Sequence, residues 1–155
     1  MRTAAPLFFL LAAGCASLSE TRWTRENPFR VEVSAANFQW AFRYPGGAGE
    51  MKSAKDVCTH GEVVLPAHSH VELLLHSADF VYVFFMPRLK QREMAVPGLT
   101  FTLAFQTGAP GTSEFVCDDV CGLTRTNLAG KVTVEAVRDL ERDLKAAKKC
   151  DDSRP

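Results

Sequence analysis

Two cysteines, Cys117 and Cys121, have the spacing in this sequence that is best suited to chemistry. They lie in residues 115–122, where an apolar strand leads into a Cys-x3-Cys loop that ends at Gly122. Two thiolates so close together can bind a soft metal ion such as Cu(I). They can also close a disulfide if their Cα atoms lie about 4.4 to 6.8 Å apart. The loop therefore predicts either a metal site or a thiol–disulfide pair.

Three blocks of sequence resemble the soluble domain of cytochrome c oxidase subunit II, in the family's order and at matching spacing. They are residues 38–46, an aromatic strand that ends in Tyr-Pro; residues 65–98, with Ser-Ala-Asp-Phe-Val-Tyr at 77–82; and residues 110–135, with the cysteine loop and a closing strand. The resemblance implies a cupredoxin-like Greek-key β-sandwich. It also implies a role in relaying electrons while oxygen chemistry occurs in another subunit, so we expect no independent catalysis.

The resemblance carries over only part of the family's dicopper ligand set. It implies that Cys117 and Cys121 bridge the metals and that Asp119 offers its backbone carbonyl. The family's two histidines and its methionine fall at Tyr82, Arg125 and Leu128. These replacements remove the imidazole nitrogens that suit copper, and Arg125 would place a fixed positive charge beside a cation. The resemblance thus predicts a degenerate copper site, at which copper binding is possible but the ligand set is incomplete.

The four histidines offer few substitutes. Under the resemblance, His76 ends a strand near the loop end of the domain and is a remote candidate ligand. His68 and His70, at i and i+2, would share a strand face and could bind a metal weakly, although polar surface residues are the commoner interpretation. His60 follows Cys58 by two residues, which is not a recognised zinc spacing.

The family receives electrons through an exposed tryptophan on its aromatic strand, and this position is also altered. Alignment on residues 43–45 places Phe38 there. We expect Phe38 to pack in the core, as most aromatic residues do. The aromatic residues of 80–85 have the same expected role.

The N-terminus resembles a bacterial lipoprotein signal. Arg2 precedes the apolar run 6–13, and small residues lead to Cys15, as in an export signal. Residues 1–15 would be the signal, with Cys15 as the lipidated first residue of the mature protein; plain cleavage near Ala16 is the alternative. The apolar run is shorter than the roughly 20 residues that a membrane span needs. We expect an exported protein, anchored by lipid to a bacterial membrane and facing the periplasm.

The rest of the chain is long enough for one domain with its own core. Residues 16–28 would be a polar tether, residues 29–137 the cupredoxin domain, and residues 138–155 a C-terminal helix and tail. The 18 basic and 18 acidic residues balance, which gives no reason to expect nucleic acid as a partner. The resemblance implies oxidase subunits or a c-type cytochrome instead.

Periodicity independently favours an all-β sandwich or barrel that would position the cysteine loop. Strands, with apolar or β-branched residues between turn signals, are predicted at residues 29–33, 38–44, 62–65, 71–75, 80–85, 99–105, 115–117 and 131–137. In the tail, apolar residues recur at three- and four-residue steps among charges. They are Val137, Leu140, Leu144 and Ala147. This spacing predicts a short amphipathic helix within 137–149, packed on the sandwich.

Cys58 and Cys150 complete the five cysteines. An exported protein enters an oxidising compartment, so these two could pair. Sequence alone does not fix connectivity, and a free Cys150 on a mobile tail is an equal alternative.

Three functions compete on this evidence. The first, which we favour, is an accessory, assembly or electron-transfer-related component of a respiratory oxidase that has lost the intact dicopper site. The second is a copper protein that uses Cys117 and Cys121, with one Cu(I), for copper handling or electron transfer. The third is a thiol–disulfide pair in which Arg125 would lower a thiol pKa. It ranks last because the spacing is not Cys-x-x-Cys.

Overall fold

The computed structural model describes residues 22–46, 51–117 and 128–151. These residues form ten strands, one turn of 3-10 helix at Pro87–Leu89 and one α-helix. In chain order the elements are β1 Phe29–Ala36, β2 Gln39–Tyr44, β3 Val57–His60, β4 Glu62–Pro66, β5 His70–Ser77, β6 Tyr82–Met86, β7 Gln91–Ala95, β8 Phe101–Gln106, β9 Gly111–Cys117, β10 Gly130–Glu135 and α1 Val137–Ala146.

The strands form two five-stranded sheets, in the orders β3-β2-β1-β5-β8 and β4-β10-β9-β6-β7. Strand β1 pairs parallel with β5, and β10 pairs parallel with β4; the remaining strand pairs are antiparallel. Alternate residues of β1 and β5 are buried between the sheets, because successive side chains of a strand point to opposite faces. The predicted all-β sandwich is confirmed.

Two strands that the apolar pattern did not predict lie at the edges of the sheets. Strand β3 is the outermost strand of one sheet and β7 of the other. Strand β7 has the sequence Gln-Arg-Glu-Met-Ala and exposes alternate residues. Charged residues in β7 discourage pairing with other chains and interrupt its apolar pattern. Strand β3 is only four residues long, Val-Cys-Thr-His, which is too short for a clear alternation.

The C-terminal segment confirms the predicted helix but shortens it. Leu140 of α1 is fully buried, and Leu144 and Ala147 pack against the core. The helix ends at Ala146 because residues 148–150 run beside β3. There the N–H of Cys58 donates to the carbonyl of Lys148 at 3.2 Å.

A disulfide joins Cys58 to Cys150, with their Cα atoms 4.8 Å apart. Of the two alternatives that the sequence left open, the pairing is the one that the structure has, and a free Cys150 is wrong. The N–H of Cys150 also donates to the carbonyl of Asp56 at 2.9 Å. The bond therefore fastens the C-terminal segment to the exposed edge of β3.

The sandwich has two distinct ends. The cysteine end holds the turn Asn37–Phe38, Asp79, Tyr82, Cys117 and Leu128. The helix end holds Trp23, α1 and residues 148–150. Strand β1 runs from the helix end to the cysteine end over eight residues, so roughly 25 Å separates them. No helix within the described residues is long and apolar enough to cross a membrane.

Candidate site at the cysteine end

The structure brings Cys117 and Tyr82 to the same end and the same face of one sheet. Phe84 of β6 lies opposite Cys117 of β9, and Tyr82 is two residues before Phe84, so all three side chains point between the sheets. Tyr82 is 1% exposed, and Cys117 packs against the core. Cys117 is also disulfide-bonded, to a partner outside the described residues.

Three of the predicted site residues lie outside the described residues: Asp119, Cys121 and Arg125. The predicted lipidation site, Cys15, is outside them as well. The predictions for these four residues stay predictions. Tyr82, Cys117 and Leu128 are described, and their surroundings can be compared with what copper ligands need.

The Tyr82 hydroxyl is engaged by the protein itself. It donates to Asp79 Oδ1 at 2.9 Å and accepts the backbone N–H of Phe38 at 3.2 Å. Burial raises the pKa of Tyr82, and the neighbouring Asp79 carboxylate raises it further. The phenol is therefore held neutral and is occupied at the position where the family has its first histidine ligand.

Asp79 is the centre of this hydrogen-bond network. Its carboxylate accepts the backbone N–H groups of Asn37 at 2.7 Å and Phe80 at 2.8 Å. It also accepts the hydroxyls of Tyr82 at 2.9 Å and Ser77 at 3.3 Å. Burial by itself would raise the pKa of Asp79, but these hydrogen bonds outweigh it and hold that pKa below its usual value. The carboxylate is therefore ionised and ties the start of β6 to the β1–β2 turn.

The turn that Asp79 and Tyr82 hold is a tight two-residue hairpin. Ala36 pairs with Gln39, and Asn37 and Phe38 between them have φ of 51° and 60°. Two consecutive left-handed residues are typical of a type I′ turn, in which Asn followed by Gly is preferred. Phe38 takes the glycine position, where a side chain is strained. The N–H of Asn37 donates to Asp79 and the N–H of Phe38 donates to Tyr82, so both N–H groups of this turn are paired.

Phe38 is not a strand residue as predicted, although it does pack against the core. It lies in the turn and is only partly buried. Its ring stacks on Phe80 with centroids 5.6 Å apart and meets Tyr82 edge-on at 6.1 Å. Phe80 is itself 56% exposed, so of the aromatic residues at 80–85 it departs most from the expected core role. The turn needs a left-handed backbone at residue 38, which takes that side chain out of the strand.

Leu128, at the position of the family's methionine ligand, belongs to the hydrophobic core and is 2% exposed. Two residues later the chain passes close to its neighbours. A Cβ on Gly130 would lie 2.2 Å from the carbonyl oxygen of Gly61 and 2.4 Å from the Phe115 ring. Only glycine fits there. The close packing brings β10 against β9 directly after Leu128.

An aromatic cluster fills the core behind Tyr82. The ring of Trp40 meets those of Tyr82, Phe84 and Phe115 edge-on, with centroids 5.7, 5.1 and 6.4 Å away. The buried Nε1 of Trp40 has no hydrogen-bond partner among the described residues. Around the described part of the site, this cluster provides apolar ring surface and no nitrogen atom that could bind a metal.

The histidines lie elsewhere. His76 follows the buried Leu75 on β5 and is therefore on the outer face of its sheet, where its Nε2 lies 3.1 Å from Glu32 Oε1. His68 lies in a turn with φ of 51°, so it does not share a strand face with His70 as expected. Within the described ranges, no three His, Cys, Asp or Glu side chains cluster as metal ligands would.

These contacts do not fit the family's dicopper ligand set. At two ligand positions the protein has an occupied phenol and a buried hydrocarbon, and the sulfur at a third is already in a disulfide. A side chain that binds copper must offer a nitrogen or sulfur atom with a free lone pair, which for histidine and cysteine requires the deprotonated form. The described side chains instead stabilise the fold.

Sequence reasoning missed Asp79 as the residue that organises this end. A signal was present, because the Ser-x-Asp motif precedes β6 and short acidic side chains often accept backbone N–H groups in turns. The long-range partners, Asn37 and Tyr82, could not be read from local spacing. They depend on how β1 and β6 approach from different sheets.

The order of the strands in the two sheets, with a cysteine-bearing strand end packed against the core, is typical of a cupredoxin-like sandwich. A family model described as cytochrome C oxidase subunit II, periplasmic domain, matches residues 44–137. This is more than half of the chain, which therefore belongs to that family.

Named relatives agree with this assignment. The chain is 28% identical over 96 residues to cytochrome c oxidase subunit 2 of Synechocystis sp., which covers 62% of this chain and 26% of the relative. It is 26% identical over 140 residues to the alternative cytochrome c oxidase subunit 2 of Bradyrhizobium diazoefficiens, covering 76% of this chain and 50% of the relative. The chain thus spans half or less of the length of these relatives.

Solved structures confirm the cupredoxin-like fold. The periplasmic domain of subunit II (CoxB) of Bradyrhizobium japonicum superposes with a TM-score of 0.65 at 16% identity, over 77% of this chain and 92% of that one. A second structure is a mixed disulfide intermediate between the thioredoxin-like protein TlpAs and subunit II of cytochrome c oxidase. It gives a TM-score of 0.63 at 15% identity over 76% and 90%.

Proposed function

We propose that this subunit II-like periplasmic domain is a lipid-anchored accessory component of a respiratory oxidase. It keeps the fold of the family but uses the positions of the dicopper ligands for packing and hydrogen bonding. Its partners would be oxidase subunits or a c-type cytochrome that docks on them. It would have no catalytic activity of its own.

The observation that carries this proposal is the Tyr82 hydroxyl. A residue that merely replaced a histidine would leave an empty or solvent-filled position, whereas Tyr82 bonds both Asp79 and the N–H of Phe38. Removal of either contact would leave a buried polar group unpaired, which costs about 1 to 3 kcal/mol. The position has therefore acquired a structural role that a copper ligand could not fill at the same time.

The proposed location depends on the N-terminal segment. Residues 1–15 would be the signal, Cys15 the lipidated residue and residues 16–28 the tether. The family to which the chain belongs is one of periplasmic domains, which supports the side of the membrane. Mass spectrometry of the protein extracted from membranes tests the anchor, because a lipidated Cys15 adds the mass of its acyl chains and removes residues 1–14.

Copper stoichiometry tests the proposed loss of the dicopper site. We would add Cu(I) and then Cu(II) to the reduced soluble chain without the signal and Cys15, residues 16–155, and record bound copper and the visible spectrum. We expect no intense thiolate absorption. Two coppers per chain with such absorption would overturn the proposal, while one tight colourless Cu(I) would favour copper handling through Cys117 and Cys121.

A restored ligand set provides the matched comparison. The triple variant Tyr82→His, Arg125→His and Leu128→Met should bind two coppers and turn purple if only the ligands have been lost. A colourless triple variant would show that the loop geometry itself has diverged. Co-purification of the tagged wild-type protein with oxidase subunits from its own membranes tests the accessory role separately.

A second function, thiol–disulfide exchange, is favoured by the disulfide at Cys117. One of the structures with the same fold was solved as a mixed disulfide with a thioredoxin-like protein. If Cys121 is the partner, a dithiol protein of that class would reduce the pair in two steps. A thiolate attacks one sulfur to form a mixed disulfide and releases the other as a thiol, and the second thiol of the partner then displaces the protein.

The test is the rate and extent of reduction of Cys117 by a dithiol protein, followed by alkylation and mass spectrometry. The Cys58–Cys150 bond of the same molecule is the internal control. Preferential reduction of Cys117 would support exchange. Equal resistance of both disulfides would leave Cys117 a structural cysteine and exclude this function.

A further inference from the structure

The helix end contains a cleft that the proposed function does not use. Its volume is about 640 Å³, and it lies between the start of β1, the end of β2 and α1. Apolar side chains form its floor and include Trp23, Phe29, Leu140 and Leu144. Trp23 is half-buried against Phe29, with ring centroids 4.8 Å apart. Phe29 and Leu140 are themselves buried, so the apolar surface that the cleft offers to solvent belongs to the half-buried Trp23 and Leu144.

The rim of the cleft is basic. Lys55, Lys145 and Lys149 line it and are exposed, and they make no ion pair with any described residue. The two arginines that line the cleft differ from them, because each pairs with a carboxylate. They are Arg22 with Glu141, and Arg30 with Glu72. Three lysines without an ion pair among the described residues thus line the cleft beside its apolar side chains, which suits a ligand that has both an anionic group and an apolar part.

The path of the chain indicates where such a ligand is available. Arg22 lines the cleft and is seven residues from Cys15 in sequence. Seven extended residues span at most about 25 Å. A lipid on Cys15 would therefore keep the cleft within that distance of the membrane surface.

We propose that the helix end docks on the anionic surface of a phospholipid bilayer, with a phosphate headgroup at the three lysines and Trp23 at the interface. Tryptophan prefers the boundary between apolar and aqueous phases of a membrane. Each lysine near an anionic leaflet strengthens membrane binding about fivefold. The inference deepens the proposed function, since it assumes the same membrane, but it does not depend on the lipid itself.

Vesicle binding by the full chain with Cys15→Ser tests the docking without the anchor. We would compare sedimentation with vesicles of phosphatidylcholine alone and with vesicles containing phosphatidylglycerol. The apolar run 6–13 can bind both kinds, so the measured quantity is the increase on adding the anionic lipid. We expect a clear increase at low salt that is lost in 0.5 M NaCl, because salt screens exposed charges.

Two triple variants with equal changes of charge locate the binding. Lys55→Gln, Lys145→Gln and Lys149→Gln together should lower the affinity for anionic vesicles tenfold to about a hundredfold. The control replaces three exposed lysines that do not line the cleft. They are Lys52, Lys90 and Lys131, each changed to Gln. An equal loss in both variants, or none in the cleft variant, would overturn the inference.

Trp23 gives a second readout. Phosphatidylglycerol with brominated acyl chains should quench the tryptophan fluorescence of the wild type, and Trp23→Phe should abolish the quenching because Trp40 is buried at the other end. Unchanged quenching in Trp23→Phe would contradict the inference. So would competition by millimolar inorganic phosphate, which would indicate a site for a small free anion instead of a membrane.

The outcomes separate this inference from the proposed function. If Cys15 carries no lipid but the Cys15→Ser chain prefers anionic vesicles through its lysines, the docking surface stands and the anchor fails. If Cys15 is lipidated and the lysine variant binds as the wild type does, the anchor stands and the docking surface fails.

Discussion

The two ends of this sandwich are stabilised by different means. At the cysteine end a half-buried carboxylate, Asp79, accepts hydrogen bonds from N–H groups and hydroxyls of both sheets. At the helix end the Cys58–Cys150 bond and the buried Leu140 hold α1 and the C-terminal segment against the core. One end depends on the ionisation of a single side chain, and the other on a covalent bond and apolar packing.

If the dicopper site has been lost as we propose, the difference between the two ends explains how the domain stays folded without it. In the family the dicopper ligands would themselves connect β6 and β9 at the cysteine end. Here Tyr82 connects the start of β6 to the β1–β2 turn through its hydroxyl, and Leu128 packs in the hydrophobic core. The helix end is held independently, so changes at the site need not have weakened the rest of the domain.

Among the predicted changes in the free energy of unfolding, the largest is expected from removal of the disulfide at the helix end. Its cysteines are 92 residues apart in sequence, and closure of such a loop stabilises a fold by about 2 to 4 kcal/mol. The double variant Cys58→Ser and Cys150→Ser should lose this amount in urea unfolding without reductant. Any further loss that a reductant causes in the double variant reports the disulfide at Cys117. An unchanged unfolding midpoint would show that α1 and β3 hold this end without the bond.

The next effect concerns the carboxylate at the cysteine end. Asp79→Asn should lower the free energy of unfolding at pH 7 by about 2 kcal/mol, because hydrogen bonds to a charged acceptor are the stronger ones. Since the pKa of Asp79 is lowered in the folded protein, its stabilisation is present above the unfolded pKa of about 3.9 and is lost as the pH falls through the folded pKa. The difference between wild type and variant should therefore shrink below about pH 4.

Asp143→Asn is the matched control for that prediction, since Asp143 is exposed on α1 at the opposite end. It should change stability by no more than about 0.5 kcal/mol. If the two variants lose similar amounts with similar pH profiles, the hydrogen bonds around Asp79 are not what stabilises the cysteine end.

A smaller effect is expected at the turn that Asp79 holds. Phe38→Gly relieves the left-handed strain but loses the ring contacts with Phe80 and Tyr82, each worth about 0.5 to 1.5 kcal/mol. Phe38→Ala loses the same contacts and keeps the strain. The Ala variant should therefore be about 1 kcal/mol less stable than the Gly variant in thermal or urea unfolding. Equal stabilities would mean that residue 38 is not strained.

The smallest expected change in the free energy of unfolding is a stabilisation. It concerns Glu135 at the helix end. Burial, together with nearby Asp143 and Asp139, raises the pKa of Glu135, and its buried Oε1 has no partner among the described residues. An acid with a raised folded pKa destabilises the fold at neutral pH. Glu135→Gln should stabilise by about 0.5 kcal/mol at pH 7, and the gain should disappear at low pH, where the wild-type carboxyl is protonated. A loss of stability at pH 7 would contradict this sign.

Much of the fold was predictable because its signals are local. The alternation at Phe101, Leu103 and Phe105 predicted β8, and the spacing of Leu140 and Leu144 predicted α1. The polar edge strands β3 and β7 were missed, since their pairing depends on neighbours in the sheet and not on apolar residues. The end of α1 was misplaced because Cys150 is drawn to β3 by a partner far away in sequence.

The site was less predictable than the fold. Family resemblance identified Tyr82 and Leu128 as altered ligand positions, but not the roles that they now have. Those roles come from tertiary contacts, in which Tyr82 meets Phe38 across the two sheets. Phe38 itself misled the prediction, since an aromatic residue before a strand gives no indication that its backbone is left-handed.

The cleft also shows that both ends of the described polypeptide reach the same region. Arg22 and Lys149 line it together, as is common in domains that tolerate insertion into other proteins. Segments joined directly to the described part of the chain, before Arg22 or after residue 151, would both start at the helix end. The cysteine end would stay unobstructed in such fusions, so a fusion protein would keep that end exposed.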